Sequence, residues 1–488
     1  MDKTLSTIRW AGVELPGTIE SHFGIVGISG SGKTLALQDL MRSVIPAIND
    51  LSSKATAQRA LVFDPENKLI PFLQRLAGIN RVHILNPFDV RSRPWDLAND
   101  IEDLATAQEM ASIFVSEQKD DSQPFWQRTA RGILSAVLKA LHLKARGKWT
   151  LRHVFHIVTD KRRLTSVLKA TNQTQGLIDL LRPTKQTLYN VLAELRSHMD
   201  MLELVAALWD SSVRIHHVKP FTLTEWLSEH SVLVFGRPTQ LEDTILALNR
   251  VLIKRTSQLI RAPLPKDHLN ARGRTWIFLD ELRNIGNLPG LDKLLTEGRS
   301  RGARVAITFQ DIDGLREVYG ERAAEEISNQ CDTMSYLRCR GTTAKWAAER
   351  IGRSEYLEKD SSTGKTKGPG GISESSGTNT RKNISDALLE SELSGLPPVA
   401  KETIDGRAGA FVQGVHVVPA IECLYRTGEK DAWYAFEEMD AGDRFKPRDP
   451  EDQILRPWED EMDWKELGFK PGQPSKPIEL PDPESLRG

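Results

Sequence analysis

The chain has 488 residues, of which 39% are hydrophobic and 27% charged, with a net charge of −1 at pH 7. This length provides for two or three domains, and no apolar run reaches the roughly 18 residues that cross a membrane. Its 3 cysteines are too few for a disulfide scaffold and its 11 histidines lack metal-binding spacing, so we expect reduced thiols, no zinc and a cytoplasmic protein.

The first motif in chain order is a glycine-rich loop that follows a predicted strand, Phe23–Ile28, and precedes a predicted helix. It reads GISGSGKT and matches the P-loop pattern G-x-x-x-x-G-K-[ST] at every fixed position. Glycines allow successive backbone N–H groups to point at phosphate oxygens beside a helix N-terminus. We therefore predict that ATP is bound here, with Lys33 on the β- and γ-phosphates and Thr34 on Mg²⁺. The predicted binding residues are Gly27, Ser29, Gly30, Ser31, Gly32, Lys33 and Thr34.

Short apolar runs alternate with helical periodicity along much of the chain. This pattern predicts an α/β fold with a mainly parallel sheet and helices on both faces. Besides the first strand, the predicted strands are Ala60–Phe63, Arg81–Leu85, Ser231–Gly236, Trp276–Leu279, Arg304–Phe309 and residues 333–339. Residues 101–215 show helical periodicity alone, with an apolar stripe from Trp126 to Leu141, and predict an all-α insertion.

Two adjacent carboxylates, Asp280 and Glu281, directly follow the apolar strand Trp276–Leu279. Ligands of open α/β sheets bind at the carboxyl ends of the strands, so we expect these acids to lie beside the P-loop. We predict that Asp280 holds Mg²⁺, directly or through water. We predict that Glu281 polarises the attacking water, which makes the protein a hydrolase.

Two arginines and a glutamine lie near the next predicted strand. An arginine from a neighbouring subunit can stabilise the charge that develops in phosphoryl transfer, and Arg299 is our candidate. Arg301 and Arg304 stay open as alternatives, and a structural role in complementing a helix dipole is open as well. Gln310 ends the strand, where its amide could sense the γ-phosphate or the water.

The rest of the chain carries weaker signals. Residues 355–385 are rich in Gly, Ser, Thr and Lys and predict a mobile loop. The run GAFVQGVHVV predicts a hairpin that turns at Gly414. Residues 429–488 hold 17 acidic and 9 basic side chains, against 49 and 56 in the preceding 428 residues, and predict an extended acidic tail. Its aromatic residues either dock on a partner or pack on the body of the protein.

Together these motifs resemble the TraD/TraG-type coupling proteins of conjugation and type IV secretion. The resemblance rests on GISGSGKT, LVFDPENKL, ILNPFD, FWQRTAR and above all FLDELRNIGNLPGLDKLLTEGRSRGARVAITFQDIDGLREVYG, and runs from about Thr18 to Tyr425. It implies a RecA-like nucleotide-binding domain (1–100 and 216–428) interrupted by an all-α domain (101–215). It further implies that Arg299 acts in trans and that Gln310 is the motif glutamine.

The function implied by the resemblance is that of a DNA-dependent ATPase. Such a protein assembles as a homo-hexamer and delivers relaxase-bound DNA, or protein substrates, to a secretion channel. Members of the family generally begin with transmembrane helices, and we find none in this sequence. We therefore expect either a cytoplasmic protein that meets the inner membrane through a partner, or a membrane anchor that lies on another chain or is missing from this sequence. Two alternatives are a DNA pump of the FtsK or HerA type, and a platform whose ATP site controls recruitment of relaxosome proteins without motor activity.

Overall fold

The structure is a computed structural model that describes residues 7–49, 58–115, 124–171, 185–236, 242–262, 274–368, 371–404, 407–419, 423–426, 433–435 and 444–470. Within these ranges, none of the helices combines the length and the apolar character that a bilayer crossing requires.

Strands and helices alternate along the chain. The strands are β1 Thr7–Trp10, β2 Val13–Pro16, β3 Phe23–Val26, β4 Arg59–Asp64, β5 Val82–Ile84, β6 Val232–Gly236, β7 Thr275–Leu279, β8 Ala303–Phe309, β9 Thr333–Tyr336, β10 Arg353–Gly368, β11 Gly371–Asp386, β12 Ala400–Ile404, β13 Arg407–Phe411, β14 Val415–Val418, β15 Cys423–Arg426 and β16 Trp433–Ala435. The helices are α1 Lys33–Val44, α2 Ile70–Ala77, α3 Leu97–Asp100, α4 Leu104–Phe114, α5 Pro124–Lys144, α6 Leu151–Thr159, α7 Lys161–Lys169, α8 Lys185–Arg214, α9 Leu223–Trp226, α10 Glu242–Arg261, α11 Leu282–Ile285, α12 Leu291–Thr296, α13 Ile312–Tyr319, α14 Glu321–Gln330, α15 Gly341–Ile351, α16 Glu390–Gly395 and α17 Asp460–Leu467.

The chain divides into two compact units, and each is built from separate stretches of sequence. The first unit contains residues 1–47, 277–287 and 304–438, and the second contains 48–276, 288–303 and 439–488. In this division the P-loop and the strand β4 fall in different units. The four-part domain organisation stays a prediction.

A mainly parallel sheet forms the core of the first unit. Its strands follow the order β15-β14-β9-β3-β8-β7, in which β3 runs parallel to both β8 and β9. The central strands β3 and β8 are buried along their whole length. Continuous burial is the pattern of a parallel strand covered on both faces, which explains why these runs are apolar without alternation. The predicted α/β fold is confirmed here.

The second unit combines a small parallel sheet with many helices. Its strands β4 and β5 both pair in parallel with β6. In the described part of residues 101–215 every regular element is a helix, as predicted. The stripe on α5 is buried at Ala130, Ile133, Leu134, Val137, Leu138 and Leu141, while Trp126 is half-buried. The helical insertion is therefore held by an apolar face of the expected period.

Two predictions about the first unit are wrong in their local structure. The segment predicted as a loop at 355–385 is an antiparallel hairpin, in which β10 pairs with β11 from Arg353 opposite Asp386 to Gly368 opposite Gly371. The run around Gly414 is not a hairpin. Its first half, β13, pairs with β12 and β16, whereas its second half, β14, pairs with β9 and β15. Pairing with distant strands replaces the local pairing that the turn suggested.

The described part of the acidic tail, 444–470, is not extended but folds against the helices of the second unit. It contains the helix α17, and Asp463 on this helix accepts hydrogen bonds from both terminal nitrogens of Arg152, at 2.8 and 3.0 Å. Burial opposes the ionisation of Asp463, but the hydrogen bonds from His153, Arg152 and the backbone N–H of Glu459 outweigh it and lower its pKa. Of the two open alternatives for this segment, the structure shows packing on the body.

His153, Asp463 and Glu466 lie close enough together to resemble a metal site. The Nδ1 atom of His153 accepts a hydrogen bond from the backbone N–H of Thr150 at 3.0 Å, so Nε2 carries the proton and faces Asp463 at 3.2 Å. A protonated nitrogen cannot bind a metal, and Asp463 is already paired with Arg152. The cluster is therefore an ion-pair network that fastens the tail.

Candidate nucleotide site

The P-loop connects β3 to α1 in the first unit. Two backbone hydrogen bonds hold the start of the loop. Gly27 donates to the carbonyl of Phe309, the last residue of β8, at 3.3 Å, and Ile28 donates to that of Arg338, which follows β9, at 2.9 Å. Gly30 and Gly32 adopt φ angles of +74° and +96°, which disfavour any other residue. At Gly32 a Cβ atom would also lie 2.6 Å from a methyl group of Val412. These glycines are required by the shape of the loop.

The N-terminus of α1 is open to an anion. Its cap is Gly32, which offers no capping side chain, and the first turn contains no acidic residue. Ser31 is 4% exposed, and its hydroxyl has no hydrogen-bond partner among the described residues. A buried hydroxyl without a partner and an uncapped helix N-terminus both suit a phosphate group. The loop therefore fits the triphosphate that its sequence predicts.

Lys33 is buried at the base of the loop, with 6% of its side chain exposed. Its Nζ donates to the carbonyls of Gly27 at 2.9 Å and Ile28 at 3.4 Å, and lies 3.0 Å from Oε1 of Glu281. The ammonium group is thus held at the loop by acceptors that a phosphate oxygen could replace. The structure brings together the P-loop lysine and the acid that sequence placed after β7.

Asp280 is 7% exposed and accepts a hydrogen bond at each carboxylate oxygen. The hydroxyl of Thr34 donates to Oδ2 at 2.9 Å, and the hydroxyl of Thr308 donates to Oδ1 at 2.7 Å. Burial raises the pKa of Asp280, and these two hydrogen bonds oppose the shift. Oxygen ligands from a carboxylate and a neighbouring hydroxyl are those that Mg²⁺ prefers, so the pair fits the predicted metal.

Glu281 adopts a backbone conformation that is unfavourable for its residue type. Its φ angle is 53°, in the left-handed region, where an L-residue other than glycine, asparagine or aspartate is strained. The turn places its side chain against Lys33, while its backbone N–H donates to the hydroxyl of Thr308 at 2.8 Å. Strained residues of this kind concentrate at functional sites.

The remaining predicted residues lie at the edges of this arrangement or outside its unit. Gln310 is exposed and directly follows β8, whose last residue pairs in register with the residue before Gly27. Arg299 and Arg301 form a short 3₁₀ helix in the second unit, and both are exposed. Arg304 is buried and donates to the carbonyl of Ile19 at 3.3 Å, so it is committed within its own chain. The roles of Arg299 and Gln310 stay predictions.

One residue of the site, Thr308, escaped the sequence analysis. It is 0% exposed and contacts both Asp280 and Glu281 through hydrogen bonds. The available signal was a lone hydroxyl among the apolar residues of the run VAITF. The role of Thr308 follows from the position of β8 beside β7 in the sheet, and this strand order cannot be predicted from the sequence.

The fold and this constellation define the class of protein as one with a P-loop nucleotide-binding fold. Its two diagnostic features are a P-loop between β3 and α1 and paired acids after β7, which is separated from β3 by β8 in the sheet. Comparison with known proteins narrows the class to a family. A family model described as the type IV secretion-system coupling protein DNA-binding domain matches residues 7–404. The chain belongs to this family.

Individual relatives agree with this assignment. The coupling protein TraD of Escherichia coli (strain K12) is 24% identical over 282 residues, which are 56% of this chain and 37% of TraD. The plasmid coupling protein TrwB in complex with ADP and Mg²⁺ superimposes with a TM-score of 0.64 at 18% identity, over 92% of this chain and 94% of that chain. The unbound monoclinic form of TrwBdeltaN70 gives a TM-score of 0.62 at 19% identity, over 92% of both chains. The predicted RecA-like fold is thereby confirmed.

Proposed function

We propose that this protein is an ATP-hydrolysing coupling protein that delivers DNA or protein substrates to a type IV secretion channel. The observation that carries the proposal is the meeting of Lys33 and Thr34 with Glu281 and Asp280 at the P-loop. Family membership supports the substrate and the channel, because the matching family model is that of a DNA-binding domain of coupling proteins. The nucleotide in the TrwB structure supports ATP and Mg²⁺ as ligands.

In this proposal each residue has a distinct task. Backbone N–H groups of the loop and the Lys33 ammonium bind the phosphates, and Thr34 and Asp280 hold Mg²⁺. When bound, Mg²⁺ supplies positive charge that neutralises the phosphate oxygens. Glu281 accepts the proton of the attacking water, for which it must leave Lys33. Lys33 can release the carboxylate because phosphate oxygens take its place as acceptors.

Two further tasks require assembly. We propose that Arg299 stabilises the transferring phosphoryl group of a neighbouring subunit, because it is exposed while the nearby Arg304 is buried against its own chain. We also propose that Gln310 contacts the γ-phosphate or the water at the end of β8. Arg299 acting in trans implies a ring, and a homo-hexamer is the form that the family resemblance suggests.

The proposed partners are DNA, bound mostly without sequence preference, and proteins of the relaxosome or the secretion channel. The proposed location is the cytoplasmic side of the inner membrane, reached through one of these partners. Contacts to DNA phosphates weaken steeply with salt, so affinity for DNA is expected to fall as the salt concentration rises.

The test is ATP turnover measured with and without single- and double-stranded DNA, for the wild type and for Lys33→Ala. We expect DNA to stimulate turnover and Lys33→Ala to abolish it. Lys345→Ala is a matched control, because Lys345 is an exposed lysine on α15 of the same unit. It should retain full turnover.

Turnover that ignores both kinds of DNA would contradict the motor and favour the recruitment platform. The same assay on Arg299→Ala and Arg301→Ala separates the two candidate arginines. Mixing Arg299→Ala with Lys33→Ala subunits should restore turnover partially if Arg299 acts in trans, since mixed interfaces then contain one intact site.

A further inference from the structure

Thr308 is part of the nucleotide site, yet the proposed chemistry gives it no task. It lies near the end of β8, opposite Ile25 of β3, and its side chain is fully buried. The residues before and after it, Ile307 and Phe309, are apolar and buried. Burying a hydroxyl among apolar residues costs free energy unless the hydroxyl forms hydrogen bonds. The partners of Thr308 therefore indicate which role it has in the site.

The direction of both hydrogen bonds is fixed by the chemistry of the partners. The backbone N–H of Glu281 can only donate, so the Thr308 oxygen accepts from it at 2.8 Å. The single hydroxyl proton then goes to Oδ1 of Asp280 at 2.7 Å. Thr308 therefore connects the carboxylate that is proposed to hold the metal with the backbone of the glutamate that is proposed to activate water.

The second oxygen of Asp280 depends on a residue that has another task. Thr34 donates to Oδ2 at 2.9 Å, but its hydroxyl is also the proposed ligand of Mg²⁺. Mg²⁺ would constrain the orientation of the Thr34 hydroxyl, whereas the Thr308 hydroxyl is not a proposed metal ligand, so its hydrogen bond to Oδ1 holds Asp280 independently of the metal. A β-branched residue in a strand suits this task, because its χ1 angle is restricted.

We infer that Thr308 is a positioning residue of the ATPase centre, which fixes Asp280 toward the metal and holds the strained turn at Glu281. The inference rests on the proposed function. Residues that orient a metal ligand through a hydrogen bond typically influence metal affinity or activity by about 10- to 100-fold. We expect an effect of that size when the hydroxyl is removed.

The experiment compares Thr308→Val, which keeps the shape and removes the hydroxyl, with Thr308→Ser, which keeps the hydroxyl. A fluorescent ADP analogue, mant-ADP, is titrated into each protein with and without Mg²⁺, and ATP turnover is measured in parallel. In Thr308→Val the gain in mant-ADP affinity caused by Mg²⁺ should fall about 10- to 100-fold, together with kcat. Affinity without Mg²⁺ should stay unchanged, and Thr308→Ser should recover most of the loss.

The matched control is Thr333→Val. Thr333 is equally buried, lies on β9 of the same sheet and bonds to the hydroxyl of Ser21 at 2.9 Å. Its variant should unfold at a temperature similar to that of Thr308→Val, but it should respond normally to Mg²⁺. Equal responses of the two valine variants to Mg²⁺, or a serine variant as impaired as the valine variant, would overturn the inference.

Failure of the proposed function gives a different result. If wild type binds mant-ADP with Mg²⁺ but does not hydrolyse ATP, the hydrolase proposal fails, and the Mg²⁺ titration still decides the task of Thr308. If wild type binds no nucleotide at all, both proposals are overturned.

Discussion

Lys33 and Arg152 are both buried cations, but their surroundings differ. Arg152 is fully buried and donates to both oxygens of Asp463 and to the carbonyls of Arg456 and Pro457. Lys33 is held by two loop carbonyls and by Glu281, at 3.0 Å. The planar guanidinium is fixed by several partners in one segment of the tail, from Arg456 to Asp463, whereas the compact ammonium of Lys33 can exchange its acceptors.

The backbone at the acidic partner of each cation also differs: it is regular at Asp463 and strained at Glu281. Asp463 lies within the regular helix α17, while Glu281 has a φ angle of 53°. A hydroxyl near Lys33, that of Ser31, has no partner among the described residues. The strained backbone and the unsatisfied hydroxyl at the P-loop indicate a site that binds a ligand, whereas the four hydrogen bonds of Arg152 indicate a structural role.

The largest expected effect is on catalysis, and it tests the functional side of this comparison. Glu281→Gln should lower kcat by about 10²- to 10⁴-fold, because the amide cannot accept the proton of the attacking water. Binding of mant-ADP should change little, since the phosphate-binding loop is intact. Steady-state turnover and fluorescence titration measure the two quantities. Glu317→Gln, at an exposed glutamate of the same unit, is the control, and near-normal turnover of Glu281→Gln would exclude the assigned task.

The second prediction tests the structural side. Arg152→Met should lower the free energy of unfolding by about 3–5 kcal/mol, because Asp463 stays buried without its counter-charge. Asp463→Asn should lower it less, since the amide still accepts a hydrogen bond from Arg152. In a double-mutant cycle followed by urea denaturation, the two losses should be strongly non-additive. Additive losses would mean that the pair does not fasten the tail.

Much of this fold could be predicted, because the signals were local. Most of the buried parallel strands, such as β3, β6 and β7, are nearly continuous apolar runs, and the P-loop is a contiguous pattern. Arg152 and Asp463 are in contact although they are 311 positions apart in the sequence, and no local sequence pattern predicts that they pair. The aromatic residues of the tail could therefore be read as a docking segment or as a packed one.

The wrong predictions have different origins. The hairpin β10–β11 is rich in Gly, Ser and Thr and lacks the apolar alternation that reveals a half-buried strand, so composition favoured a loop. At Gly414 two strands follow each other closely, as in a hairpin, but each pairs with strands from elsewhere. Thr308 was missed because its meaning comes from the neighbouring strand β7. The hairpin was missed because of its composition, whereas contacts between distant segments determined the outcomes at Gly414 and Thr308.

A third prediction concerns pH and the fastening of the tail. The pKa of Asp463 is lowered in the folded protein, so its contribution to stability is complete above its unfolded value of about 3.9 and is lost as the pH falls below it. Between pH 5 and pH 3, the free energy of unfolding of wild type, measured by urea denaturation, should therefore fall more steeply than that of Asp463→Asn. The difference in slope is at most about 1.4 kcal/mol per pH unit for one proton. Parallel pH profiles would show that Asp463 titrates normally.

The smallest expected effect comes from making the same Arg→Met substitution at an exposed ion pair, so that the two sites differ mainly in burial. Arg196 lies 3.5 Å from Asp200 on α8 of the second unit, with 62% and 50% of the two side chains exposed. Arg196→Met makes the same substitution as Arg152→Met, but water solvates the carboxylate that is left behind. We expect a loss of about 0.5 kcal/mol or less in urea denaturation, and salt should reduce it further. A loss as large as that of Arg152→Met would show that the substitution itself, and not the buried counter-charge, destabilises the second unit.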